Sequence, residues 1–280
     1  MSIGAFTDKN REPTKAEVAE VDATSPLLSK TGGRMSSHDR APRILGAAFL
    51  LQAITSLLSG VILQVALIMP GNISETMIRI ANHPWLMRVN VFGEMITAIG
   101  VIFLGAVLYT TLRRENEILA LAGFGFYILE AALLAASRIA ALSLLRISHE
   151  YATAGHPTDL QTAGNLALAS MNSGYQLLML PFCLGAVLFY VLFYKSVIIP
   201  RALSIWGLGA VSLALIGTVC ALAGHELSFA IYLPYLPFEF VVGIWILIRG
   251  GRARFNWAAS KGAVLSPHEN AGSDCRTLES

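Results

Sequence analysis

The chain has 280 residues, of which 55% are hydrophobic and 14% charged, with a formal net charge of +2. A water-soluble domain carries about 25% charged residues, so the composition argues against a soluble globular fold and for a bilayer as the main solvent. The small charge, with no run of Lys and Arg, excludes a nucleic-acid partner, and three cysteines without a C-x-x-C pair argue against a disulfide framework or structural metal site.

In chain order, residues 1–42 are polar and of mixed charge. They hold no apolar core of a signal peptide and too little apolar surface to offset ordering, so they are expected to form a disordered tail. Six stretches then reach the length of about 20 apolar residues that a span requires. They run Ile44 to Met69, Leu86 to Leu112, Ile118 to Leu145, Ala163 to Tyr194, Leu203 to Ala223, and Ile231 to Ile248. Pro70-Gly71 and Arg113-Arg114 close the first two, and Pro234 and Pro237 interrupt the start of the sixth. Residues 251–280 return to the composition of the first tail. The expected fold is an all-α polytopic integral membrane bundle of six transmembrane helices, residues 43–250, between two disordered cytoplasmic tails.

Lys and Arg set the expected orientation. Arg40, Arg43, Arg113, Arg114, Lys195, Arg201, Arg249 and Arg252 flank one side, whereas the opposite loops hold only Arg79 and Arg146. Both termini are therefore expected in the cytoplasm and the bundle in the cell inner (plasma) membrane. Trp85, Tyr232 and Tyr235 fall at outer ends and Tyr109, Tyr194, Trp206 and Trp245 at inner ends, where amphipathic rings favour the headgroup level.

Ionisable and amide side chains inside spans are the candidates for function, because they are costly in hydrocarbon and turn toward the bundle. They are Arg88, Asn90 and Glu94 in the second span, Glu130 and Arg138 in the third, Asn172, Tyr175 and Gln176 in the fourth, and Glu239 in the sixth. At about 1.5 Å rise per residue, Glu94, Arg138, Asn172 and Glu239 share one layer some 10–14 Å below the outer ends, with Glu130 near the midplane. Asn90 and Glu94 share a face at i, i+4, as do Asn172, Tyr175 and Gln176. Three deep acids face one deep cation, Arg138, which is expected to pair with at least one of them. Small residues through the third span, from Gly123 to Ala141, mark it as a closely packed helix.

His83, His149, His156 and His225 fall in or near outer loops without the i, i+4 spacing of a metal motif, so no metal site is expected. Spans free of Lys and His disfavour a retinal Schiff base and haem ligation. Neither a G-x-x-x-x-G-K-[ST] stretch nor a G-x-S-x-G elbow occurs, and no cofactor is expected. Asn72-Ile73-Ser74 forms a glycosylation sequon on the outer side.

The segment Gly-Phe-Tyr-Ile-Leu-Glu-Ala-Ala at 125–132, Phe193-Tyr194-Lys195-Ser196 with Ile199-Pro200-Arg201 and Trp206-Gly207, and the stretch from Pro237 to Gly250 with Glu239 six residues before Trp245 resemble the bacterial family known as domain of unknown function 4386. Where that family often shows His followed by Gly, this chain reads Asn172-Ser173-Gly174. The resemblance covers roughly residues 40–250 and implies a membrane protein of six or seven helices with unassigned activity. The residues themselves fit three functional classes. The first is binding or transport of a small polar or cationic ligand, ion or proton in an outward-facing pocket. The second is a structural or interaction protein whose buried charges fix packing, and the third is a membrane enzyme.

Overall fold

The computed structural model describes residues 37–196, 198–225 and 228–264. Among them there is no strand, and six helices are long and apolar enough to cross a membrane: Arg43–Leu67, Pro84–Leu112, Glu117–Thr153, Thr158–Ser196, Arg201–Leu222 and Ala230–Arg249. The six-helix, all-α expectation holds. The third and fourth helices are longer than their apolar cores, at 37 and 39 residues. At about 1.5 Å per residue each is over ~50 Å long, more than the ~30 Å hydrocarbon layer, so polar turns at their facing ends project beyond it. The disordered-tail expectation falls largely on residues 1–36 and 265–280, outside the described residues. The first and last helices, Ser37–Thr55 and Tyr235–Val264, run into the ranges assigned to those tails.

The connection after the first span holds an element the hydropathy pattern does not announce, a short helix Ile73–Asn82. The Asn72 side chain accepts from the Glu75 amide at 3.0 Å, so the sequon residue is a helix N-cap, with Glu75 in reciprocal capping position. Arg79 pairs with Glu75 one turn along, at 2.8 Å. Thr76, Met77 and Ile80 are buried on one face, which packs against the facing ends of the third and fourth spans. Tyr151, 1% exposed, ties this cap together. Its hydroxyl meets Ser74 Oγ at 2.7 Å and accepts from Gln161 Nε2 at 2.7 Å. The chain then reverses through Gly155 and His156, both at positive φ.

Consecutive spans are neighbours from second to sixth. The first packs on the second, where a Cβ at Gly93 would fall 2.8 Å from Ser59 Cβ. The first also meets the sixth, since a Cβ at Gly46 would lie 2.5 Å from the Leu247 amide nitrogen. The six helices therefore close a ring in chain order. The outward surface is apolar, with Phe92, Ile139 and Leu166 each about 70% exposed, as a face solvated by lipid requires. Toward the end where the first span begins and the sixth ends, the ring is filled by Leu45, Phe49, Leu104, Leu108, Phe189, Phe193, Phe238 and Ile246. At the opposite, distal end a second cluster of Met77, Ile80, Met87, Leu144, Tyr151 and Met171 seals the second, third and fourth spans under the short helix.

Candidate functional site

The first span is not a regular helix. Between Ser56 and Leu63 it widens into a π-helical segment, a form that interrupts the i→i−4 ladder and recurs at functional sites. Asn90 of the second span donates its amide to the Ser59 carbonyl at 2.6 Å, while Ser59 Oγ donates to the Thr55 carbonyl at 2.6 Å. This segment forms part of the wall of a cavity of about 350 Å³ lined from all six spans.

Its acids come from three helices: Glu94, Glu130 and Glu239. Gly60 in the π segment leaves room for Glu94, whose Oε1 lies 3.1 Å from where a Cβ at Gly60 would be. Glu130 is 6% exposed, and among the described residues its Oε2 has no hydrogen-bond partner; the same holds for Oε1 of Gln52, 8% exposed, on the wall from the first span. Glu239, from the sixth span, lines the same cavity as Glu130. Tyr235, on the same wall, bonds through its hydroxyl to the buried Tyr190 hydroxyl at 2.9 Å. Thr97 and Thr218 complete the polar wall, their hydroxyls donating to carbonyls one turn back at 3.0 and 2.9 Å. Tyr175, Phe182, Tyr232, Tyr235 and Phe240 supply aromatic surface. Pro181, inside the fourth span beside Phe182, removes one backbone donor from that helix.

Of the nine expected site residues the cavity gathers Glu94, Glu130, Tyr175, Gln176 and Glu239. Asn90 is buried behind the wall as the partner of Ser59. Arg88 and Asn172 are exposed and not part of the lining. Arg138, 3% exposed, donates Nε and Nη2 to Ser137 Oγ at 3.1 and 3.0 Å. Among the described residues Arg138 forms no contact ion pair, contrary to the pairing expected from the charge count. The Arg138 side chain folds back onto Ser137 of its own helix, while Glu94 lines the cavity. Gln52, Thr97, Thr218, Tyr232 and Tyr235 were missed. Gln52 was visible as an amide in the first span, whereas the two tyrosines were assigned to the interface. Among the described residues no group of three His, Cys, Asp or Glu could hold a metal ion.

Six apolar helices closed around a polar cavity define a multi-pass membrane protein. A family model matches residues 44–250, and the chain belongs to that family, described as a domain of unknown function (DUF4386). No curated protein and no solved structure matches the chain significantly.

Proposed function

We propose that this protein binds a small cationic or hydrogen-bond-donating ligand in the intramembrane cavity, entering from the side opposite the termini, which lie in the cytoplasm of a cell whose plasma membrane holds the bundle. One observation carries the reading. Glu130, more than nine-tenths buried, has a carboxyl oxygen without a partner at the wall of a cavity that also holds Glu94 and Glu239. Packing alone does not account for this. A buried acceptor left unpaired costs about 1–3 kcal/mol, and a wall of unpaired acceptors is offset when a ligand supplies the donors. Asn90 and Arg138, by contrast, have protein partners and serve the structure.

Thiol accessibility tests the reading. Cys183, Cys220 and Cys275 are replaced by alanine, and Thr97→Cys on the cavity wall is compared with Ile99→Cys, which faces outward at 65% exposure. A membrane-impermeant cationic thiosulfonate added outside whole cells should modify the Thr97 position rapidly and the Ile99 position slowly. Equal, slow modification at both would mean a cavity closed to water, and a structural protein instead.

A further inference from the structure

The cavity selects among cations. We propose that its ligand is an organic amine, with the ammonium held among Glu94, Glu130 and Glu239 and the apolar body against Tyr175, Phe182 and Phe240. The inference rests on the binding function proposed above and names the ligand class of that same site.

Charge comes first. Three carboxylic side chains line the cavity and, among the described residues, no Lys, Arg or His does, so an anionic ligand is repelled. Hydrogen-bond demand comes second. Glu130 Oε2 and Gln52 Oε1 are both acceptors, both unpartnered, on side chains over nine-tenths buried, so the ligand has to donate. Size and donor geometry separate an amine from a bare metal ion. Among the described residues the acids do not form a group that could hold a metal, and about 350 Å³ falls in the range of small-molecule sites, roughly 300–1,000 Å³. The rest of the wall is aromatic and aliphatic, and aromatic faces attract cations through their quadrupole while covering an apolar body. A hydrated inorganic ion would leave that surface wet. A primary amine on a hydrocarbon or aryl stem satisfies both walls at once.

The test uses the full chain in lipid nanodiscs and isothermal titration with phenethylamine, spermidine, 2-phenylethanol and calcium chloride. At least one amine should bind saturably, and phenethylamine at least tenfold more tightly than its neutral isostere 2-phenylethanol. Glu130→Gln should weaken amine binding tenfold or more. Should that variant fail to fold, Glu239→Gln and Phe240→Leu carry the same expectation, with losses of at least threefold. Equal affinity for amine and alcohol would overturn the proposal, as would saturable calcium binding without amine binding. If neither amine binds while the Thr97→Cys cavity is reached by the thiosulfonate, the ligand class falls and the binding function stands. If the thiosulfonate does not reach it, both fall.

Discussion

Asn90→Ala should destabilise the bundle through the first span, although Asn90 does not line the cavity. Its Nδ2 donates to the Ser59 carbonyl at 2.6 Å, inside the π segment, and the side chain is 3% exposed. Neither bilayer nor water can replace it there. Stranding a buried acceptor costs about 1–3 kcal/mol in soluble proteins. Interhelical hydrogen bonds in membranes average only about 0.6 kcal/mol and reach about 1.7, because the unfolded helices find other partners. The Ser59 carbonyl belongs to a ladder already interrupted by the wide turn, so fewer alternatives exist, and the upper part of that range applies, about 1.5 kcal/mol. Asn90→Leu separates the hydrogen bond from packing, since it keeps the volume and loses the donor. Unfolding in mixed micelles with increasing dodecyl sulfate measures both variants. A Leu variant within about 0.3 kcal/mol of the parent, the scatter expected of independent sites, would refute the assignment of that carbonyl to Asn90.

Four further outcomes follow from the same structure. Tyr151→Phe removes the hydroxyl shared by Ser74 and Gln161; a loss of about 1–2 kcal/mol is expected by the same unfolding assay, with the short helix Ile73–Asn82 exchanging amide hydrogens faster. Gly46→Val places a Cβ 2.5 Å from the Leu247 nitrogen, against backbone that cannot step aside, so it should cost at least about 1–3 kcal/mol, whereas Gly125→Ala, with nothing within 4 Å, should be neutral or stabilising. Arg138→Ala should cost about 1.5–3 kcal/mol for its charged hydrogen bonds, less than the 3–5 kcal/mol of a broken contact pair; a larger loss would show that Glu94 pairs with it directly. Reporter fusions after residues 115 and 198 should report cytoplasm, and those after residues 156 and 226 the outer side, by the Lys and Arg asymmetry; opposite labels at any two sites would sink the orientation.

The spans could be read from the chain because a bilayer demands about 20 apolar residues in a row, and that demand is local. Rise per residue is fixed in the same way, and Glu94, Glu130 and Glu239, from three different helices, line one cavity. Helix rotation is not local. The sequence shows Arg138 among three acids, but whether it meets one depends on helix facing and on its long side chain's conformation, and that side chain folds back onto Ser137 of its own helix. Asn172 and Gln176, four residues apart, were assigned one face, yet only Gln176 reaches the cavity, because Asn172 sits one turn closer to the distal end. The helix Ile73–Asn82 escaped a hydropathy criterion since only one of its faces is apolar. Its start was nonetheless written in Asn72-x-x-Glu75. Tyr232 and Tyr235 show the opposite error: tyrosine near a span end suits the headgroup layer equally well, and only the approach of the fifth and sixth helices turns these two inward.

The ring in chain order bears on how the molecule is made. From the second span to the sixth each helix packs on the one before it, so a helix leaving the biosynthetic machinery finds its partner already in place, and the search for native neighbours stays short. The seam between Gly46 and Leu247, and between Gly243 and Leu50, is different: its two sides are made first and last. Until the sixth helix arrives, Glu94 and Glu130 stand on the open inner face of an incomplete wall. The final helix brings a third acid, Glu239, into that gap as it closes it. Truncation within the last span should therefore leave five inserted helices with an uncovered acidic flank, a form suited to capture by membrane quality control rather than to accumulation.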